Sequence, residues 1–189
     1  MFDIWMRLLV AVPGSVLWLL EDNAEAAGNL RREAVARGIA PERLVFAPRV
    51  TAAAHMARHR LADLFLDTLP YNAHTTASDS MWAGVPLVTC LGESFAGRVG
   101  ASIVTAMGLP ELVTKSLADY EALVLALAQD PARLAALKQK MKDGRATAPL
   151  FDTARFTLSL EAAYRTMRDR WLATPRLCAF SRTPLSARA

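Results

Sequence analysis

Short runs of apolar residues alternate along this chain with longer segments whose apolar residues recur at helical spacing. The runs cover residues 16–20, 44–46, 64–66 and 87–89, and a shorter one covers residues 112–113. Each run is too short for a helix and is bounded by polar or turn-forming residues, which is typical of strands buried in a parallel sheet. The alternation therefore predicts an α/β fold in which helices cover both faces of a parallel sheet.

The helical segments have recognisable beginnings and ends. Gly38 is placed to end the helix over residues 24–37, and Thr51, Ser116 and Asp152 are suitable N-caps. The predicted helices are residues 2–12, 24–37, 51–59, 96–107, 117–129, 132–142 and 153–172. The last three follow one another without a strand, so the C-terminal part is helical. We expect residues 1–173 to form one lobe and residues 174–189, which show no periodicity, to be a mobile basic tail.

Composition and charge argue against several classes of protein. The net charge is +4, but residues 174–189 contain three arginines and no acid, so the body lacks the basic face that nucleic-acid binding requires. The two cysteines, Cys90 and Cys178, show no metal-ligand spacing and favour a reduced, cytoplasmic setting. Pro13 and Gly14 divide the apolar N-terminus, which predicts a helix, a turn and a strand and not an export signal or a membrane span.

A polar loop and a helix start follow the third predicted strand. The sequence YNAHTTASD, residues 71–79, contains His74, Thr75, Thr76 and Asp79. The first turn of a helix has unbonded N–H groups and a positive dipole end, which suit a diphosphate. Asp79 lies about one turn further on, where its carboxylate can accept hydrogen bonds from a ribose. Taken alone, these residues also fit a core histidine, two capping threonines and a surface acid.

Loops that follow parallel strands meet at one edge of the sheet, where such folds bind ligands. The loops at residues 48–49, 67–76 and 91–96 should therefore converge on one crevice. His55 and Arg58 lie three residues apart on a short helix and share a face, which is also typical of a solvated basic surface. His59 and Arg60 are interpreted as surface residues. Arg98, in the first turn of its predicted helix, has either a function or an ion pair with Glu93 or Asp67.

The tryptophans are interpreted as packing residues. Trp5, Trp18 and Trp82 occur at core positions of their predicted elements, and we do not expect them to serve as platforms for a sugar ring.

Several motifs in this order and spacing resemble the protein O-GlcNAc transferase family, which includes the SPINDLY-type proteins. They are GSVLWLL (residues 14–20), LADLFLDT (61–68), NAHTT (72–76), Asp79, WAGVPLVT (82–89), GE (92–93), RV (98–99) and PLFD (149–152). The resemblance extends from about residue 2 to about residue 170. It implies the C-terminal lobe of a GT-B catalytic region, a Rossmann-like parallel sheet flanked by helices. The N-terminal catalytic lobe, the tetratricopeptide repeats and an upstream phenylalanine-asparagine-lysine segment would be missing from the chain.

The resemblance also implies roles for individual residues. His74, Thr75 and Thr76 would lie beside the diphosphate of UDP-GlcNAc or UDP, with His74 as a stabiliser of the leaving group. Asp79 would bind the ribose, His55 would stack on the uracil and Arg58 would contact its edge. Ala52 occupies a position where many relatives have a ribose-contacting lysine.

The activity implied by the family is inverting transfer of N-acetylglucosamine to a serine or threonine of a protein acceptor. It would need no cofactor or metal, and we expect the isolated lobe to be inactive. No residue is a convincing general base.

Two other interpretations remain open at this stage. One is a stand-alone nucleotide-binding or protein-interaction domain without catalysis, and the other is a different GT-B relative such as an epimerase.

The last predicted helix carries an apolar stripe, Phe156, Leu160, Tyr164, Met167 and Trp171. If the other lobe does not cover that stripe, we expect self-association, or docking of the helix onto its own lobe.

Overall fold

The computed structural model describes residues 1–173, and the predicted tail at residues 174–189 lies outside the described part. The chain divides into two units, Met1–Leu150 and Phe151–Ala189. In order, the elements of the first unit are α1 (Phe2–Ala11), β1 (Leu17–Leu20), α2 (Ala24–Val35), β2 (Leu44–Ala47), α3 (Ala52–Arg58), β3 (Phe65–Leu66), α4 (Thr75–Ala83), β4 (Leu87–Cys90), α5 (Val99–Ala106), β5 (Val113–Thr114), α6 (Leu117–Gln129) and α7 (Pro131–Gly144). The second unit begins with α8 (Thr153–Ala173).

All strand pairs are parallel, as the alternation of strands and helices predicts. The strands form two hydrogen-bonded groups, β1–β2 and β3–β4–β5, which is a finer division than the parallel sheet predicted from the sequence. The reason is the shortness of β3, whose two residues pair only with Leu87 and Val88 of β4. Leu66 of β3 packs against the cluster that contains Leu17 and Leu44, so apolar side chains join the two groups where no backbone ladder does.

The core contains two layers of apolar side chains. One lies between α1, α2 and the first two strands and includes Met6, Leu9, Leu17, Ala34, Ile39 and Leu44. The other surrounds β4, of which every residue is buried. Burying one leucine or methionine contributes roughly 1.5–3 kcal/mol. Three of the four residues of β4 are accordingly apolar, and Thr89 is the exception.

Glycine at the end of α4 directs the chain into β4. Gly84 has a φ of 85°, and the N–H of Val85 donates to the carbonyl of Ser80 at 2.9 Å. A left-handed residue followed by this bond is a common helix ending, and glycine adopts that conformation without steric strain. The predicted end at Gly38 is confirmed by the same arrangement, in which Ile39 donates to Ala34.

The predicted N-caps are also confirmed. The side chains of Thr51, Ser116 and Asp152 accept hydrogen bonds from the backbone N–H groups of Ala54, Asp119 and Arg155. The start of α5 differs from the prediction, because residues 92–98 form a tight loop. In that loop Gly92 donates to the carbonyl of Gly97 at 2.7 Å, so the helix cannot begin before Val99.

Two interpretations of buried and exposed residues are wrong. Trp82 is 51% exposed, and the guanidinium of Arg145 lies 5.1 Å from the centre of its ring while donating to its carbonyl oxygen. His59 is buried, because the short turn after α3 directs it inward, where its Nδ1 lies 2.8 Å from the carbonyl of His55. Trp5 is partly buried against the first apolar layer, as expected for a packing residue.

Helix α8 is described by itself. Its predicted apolar stripe is exposed, with Phe156 at 63% and Met167 at 64%. None of the helices within residues 1–173 combines the length and the apolar content needed to cross a membrane.

Self-association through the apolar stripe of α8 stays a prediction. Sedimentation velocity over a concentration series should show a rising average mass, and a constant monomer mass would contradict it.

Arg43 should be among the most sensitive surface-facing positions of the first unit. Its guanidinium donates to the carbonyls of Leu9, Val12 and Ser15 at 2.7–2.9 Å, which satisfies acceptors at the end of α1. We expect Arg43→Ala to lower the free energy of unfolding by about 2–4 kcal/mol, because several hydrogen bonds to one charged group are lost together. Urea denaturation would measure this. Arg60→Ala, at an exposed arginine, is the control and should change stability by less than about 0.5 kcal/mol.

Candidate functional site

The loop between β3 and α4 is held together by hydrogen bonds among its own residues. Asp67 accepts from the N–H groups of Thr68 and Ala73, and the Thr68 hydroxyl donates to the carbonyl of Tyr71. Asn72 donates through its backbone N–H to the carbonyl of Ala96 at 2.9 Å, which ties this loop to the loop after β4. Two of the three loops predicted to converge at the carboxyl ends of the strands are thus in direct contact.

The N-terminus of α4 has unbonded donors. His74 is its N-cap residue, and the carbonyl of His74 accepts from Ala77 and Ser78. The backbone N–H groups of His74, Thr75 and Thr76 have no acceptor within residues 1–173, and both threonines are exposed. Within the same residues no side chain caps this helix, so capping does not account for the two threonines. Three free N–H groups at the positive end of a nine-residue helix can bind an anion.

The imidazole of His74 lies in the loop and not in the apolar core. It is half-buried and stacks on the ring of Tyr71, with centroids 4.7 Å apart and planes inclined by 19°. Phe95 meets it edge-on at 6.3 Å. The Nε2 atom is 3.4 Å from the carbonyl oxygen of Ala96. The two aromatic neighbours therefore restrict the ring to the mouth of the loop, beside the free N–H groups.

Helix α3 carries the second group of predicted residues. The Nε of Arg58 donates to the Nδ1 of His55 at 3.1 Å, which confirms that the two side chains share a face. Arg58 also donates to the carbonyl of Pro48, and its guanidinium lies 5.6 Å from the centre of the Trp18 ring. Because Nδ1 of His55 accepts a hydrogen bond, the neutral ring carries its proton on Nε2.

His55 and Asp79 are electrostatic neighbours although they lie on different helices. Burial lowers the pKa of His55, the nearby His59 and Arg58 lower it further, and the carboxylate of Asp79 acts in the opposite direction. His55 is therefore neutral at pH 7. A neutral imidazole on α3 and a half-buried carboxylate on α4 therefore interact electrostatically.

Sequence reasoning missed Asp67 as a site residue. It considered this residue only as an ion-pair partner of Arg98, but no such pair forms within the described residues. Arg98 is instead the exposed N-cap residue of α5, and Asp67 is 2% exposed beneath the loop. The signal in the sequence was an aspartate directly after a predicted strand, where a parallel sheet normally places its ligand loops.

Two further features complete the geometry. The Oδ1 atom of Asn72 is buried and has no hydrogen-bond partner in the part of the chain that the structure describes, while its Nδ2 donates to the carbonyl of Thr68. Ala52, the first residue of α3, is exposed and contributes no charge. Within residues 1–173, no group of three or more histidine, cysteine, aspartate or glutamate side chains is placed to hold a metal ion.

The lowered pKa of His55 predicts a pH dependence of stability. The native state takes up this proton at lower pH than the unfolded chain, whose histidine pKa is about 6.5. The stability contribution of neutral His55 is therefore fully present above that value and is lost as the pH falls through the folded pKa. His55→Gln should lose less stability than the wild type between about pH 7.5 and about pH 5. Thermal unfolding across this range would measure it, and parallel curves would contradict the prediction.

Comparisons with known proteins identify a family for this chain. The model of the family described as Glycosyl transferase family 41 matches residues 1–160. A probable UDP-N-acetylglucosamine–peptide N-acetylglucosaminyltransferase, SEC, of Arabidopsis thaliana is 39% identical over 161 residues, which are 85% of this chain and 16% of that protein. The UDP-N-acetylglucosamine–peptide N-acetylglucosaminyltransferase of Caenorhabditis elegans is 37% identical over 169 residues, which are 89% of this chain and 15% of that protein.

A solved structure shows the same fold. A mutant of the Thermobaculum terrenum O-GlcNAc transferase superimposes with a TM-score of 0.83 at 34% identity, over 88% of this chain and 32% of that one. The match confirms the predicted α/β architecture as one lobe of a GT-B fold. The chain spans about a sixth of the length of the two relatives above. Over that span, its sequence and its fold agree: the chain belongs to glycosyl transferase family 41.

Proposed function

We propose that residues 1–150 are the donor-binding lobe of a glycosyltransferase that uses UDP-N-acetylglucosamine and modifies serine or threonine of a protein. The observation that carries this proposal is the set of free N–H groups of His74, Thr75 and Thr76 at the start of α4. The names of the relatives, which are peptide N-acetylglucosaminyltransferases, support the choice of donor and acceptor class.

We infer that the diphosphate binds at the N-terminus of α4. The three N–H groups and the helix dipole stabilise its charge without a lysine. His74 adds a hydrogen-bond donor beside them. Tyr71 and Phe95 hold its ring in this position at the mouth of the loop. The exposed hydroxyls of Thr75 and Thr76 supply further donors.

We infer that the nucleoside lies along α3 and α4. Asp79 follows the phosphate site by one turn of α4 and accepts from the ribose hydroxyls. His55 is neutral, so its ring can stack on the uracil without the cost of a buried charge. Arg58 is anchored to Pro48 and His55, so it presents a guanidinium in a restricted orientation to the edge of the base.

The chemical contribution of this lobe is stabilisation of the leaving group. As the bond between the sugar and the diphosphate breaks, negative charge grows on the departing UDP. Donors that are already oriented toward that charge lower the barrier without reorganising during the reaction. His74 acts here as a leaving-group stabiliser, and we assign no general base to these residues. Inversion at the anomeric carbon and independence of metal ions are implied by the family resemblance.

Transfer requires more than donor binding, because the acceptor hydroxyl must also be oriented against the anomeric carbon. The chain spans only 16% of the Arabidopsis relative, so we propose that the groups holding the acceptor lie outside these 189 residues. The alternative, a nucleotide-binding or interaction domain without catalysis, makes the same prediction for binding and differs only in the complete protein.

The isolated chain should bind UDP and should not transfer the sugar. Isothermal titration calorimetry with UDP should give saturable binding, with GDP as the control for base recognition. Incubation with UDP-N-acetylglucosamine and acceptor peptides should give no turnover near the rate of about 1 per second that is common for enzymes. No UDP binding at millimolar concentration would overturn the donor-lobe proposal, and turnover at that rate would overturn the half-enzyme proposal.

Substitutions in the site should separate binding from stability. His74→Ala and Asp79→Ala should each weaken UDP binding about tenfold or more, because one charge-assisted hydrogen bond is worth roughly 1.5–3 kcal/mol. Their melting temperatures should stay close to that of the wild type, since neither side chain is in the apolar core. Asp143→Ala, which removes an exposed acid from α7, is the control for lost charge and should bind UDP normally. Unfolding without a separate effect on binding would make the residue structural.

A further inference from the structure

The carboxylate of Asp67 is buried directly beneath the loop that precedes α4. Only 2% of the residue is exposed, and both oxygens accept short hydrogen bonds. Oδ1 accepts from the N–H of Thr68 at 2.8 Å and from the N–H of Ala73 at 2.6 Å. Oδ2 accepts from the hydroxyl of Thr89 at 2.6 Å, on the neighbouring strand β4. Hydrogen bonds to an ionised acceptor are shorter and about twice as strong as neutral ones.

The two backbone donors lie at opposite ends of the loop. Thr68 directly follows Asp67 near the beginning of the loop, and Ala73 immediately precedes His74, the N-cap residue of α4. One oxygen atom therefore joins the end of β3 to the start of the helix. This fixes the orientation of the peptide group between Asn72 and Ala73, and the next three N–H groups along the chain are the free donors of the proposed diphosphate site.

The surroundings of Asp67 exclude water, and its carboxylate has no salt-bridge partner within the described residues. Gly100 of α5 covers the carboxylate, and a Cβ atom there would overlap Oδ2 and lie 2.8 Å from the hydroxyl of Thr89. No lysine or arginine forms an ion pair with Asp67 within residues 1–173. Burial raises the pKa of Asp67, and its three hydrogen bonds together with the nearby His74 oppose that rise only in part. Because the folded pKa lies above the unfolded one, the native state loses stability as the pH rises through this interval.

Both backbone hydrogen bonds to this carboxylate come from one loop, so its burial is better explained by the order of that loop than by the apolar core. We propose that Asp67 is a positioning residue for the diphosphate site. It acts through the backbone of Ala73 and His74 and holds the free N–H groups in the binding geometry before the ligand arrives. This inference rests on the proposed donor-binding function. Preorganisation of this kind raises affinity because less ordering is left to occur on binding.

Asp67→Asn is the variant that separates positioning from folding. An asparagine keeps the shape, accepts at Oδ1 and can donate to the oxygen of Thr89, but its neutral oxygen binds the two N–H groups more weakly. We expect an unchanged or higher melting temperature and an affinity for UDP that falls about three- to tenfold. Affinity for uridine, which lacks phosphate, should stay unchanged, and NMR titration can follow both ligands at millimolar concentration. Amide exchange at Ala73 should be faster in the variant.

A second variant keeps the proposal testable if the asparagine variant does not fold. Thr89→Val removes the donor to Oδ2, and Thr89→Ser restores it. UDP binding should weaken in the valine variant and recover in the serine variant, with uridine binding unchanged in both.

The outcomes distinguish this inference from the proposed function. If the wild type binds neither UDP nor uridine, the donor-binding function fails and the role of Asp67 fails with it. If the wild type binds UDP and Asp67→Asn binds it equally well or more tightly, the function stands and the positioning role is overturned. A parallel loss of UDP and uridine binding, or a lower melting temperature with unchanged binding, would make Asp67 a structural residue.

Discussion

The buried strand β4 is the element on which the arrangement of the site depends. All four of its residues are buried, and it can be buried because it is hydrogen-bonded to β3 on one side and to β5 on the other. Parallel pairing with β3 places the ends of both strands at the same edge. The loop after β3 and the loop after β4 consequently meet, and the bond from Asn72 to the carbonyl of Ala96 joins them.

Polar side chains beneath this edge of the sheet also hold the end of β3 in place. Thr89 donates from β4 to the carboxylate of Asp67, and the hydroxyl of Tyr120 donates from α6 to the carbonyl of Asp67. Tyr120 is completely buried, and burial raises the pKa of its phenol, so it remains a neutral donor. The end of β3 is thus fixed from two directions by groups that have no contact with solvent.

The candidate site is built from backbone donors and the neutral imidazole of His55 more than from positive side chains. The N–H groups at the start of α4 carry the proposed phosphate contact, His55 is neutral, and the guanidinium of Arg58 is held by Pro48 and His55. A site of this kind depends on the accurate placement of main chain, because partial charges act only over short distances. This dependence is why a buried carboxylate that orders the loop is as relevant to the site as the residues that would touch the ligand.

The sequence alone determined the types and order of the elements, the parallel pairing and the residues at the mouth of the site. Periodicity, caps and turn residues are local signals, and His74, Thr75, Thr76 and Asp79 follow one another in a single segment. Only the tertiary structure decided that the strands form two ladders, that His59 is buried and Trp82 exposed, and that Asp67 orders the loop. Those properties depend on which distant segments pack together. Asp67 meets Gly100 of α5 and the hydroxyl of Thr89 on β4 only after the chain has folded. The shortness of β3 likewise has its effect only in the folded sheet.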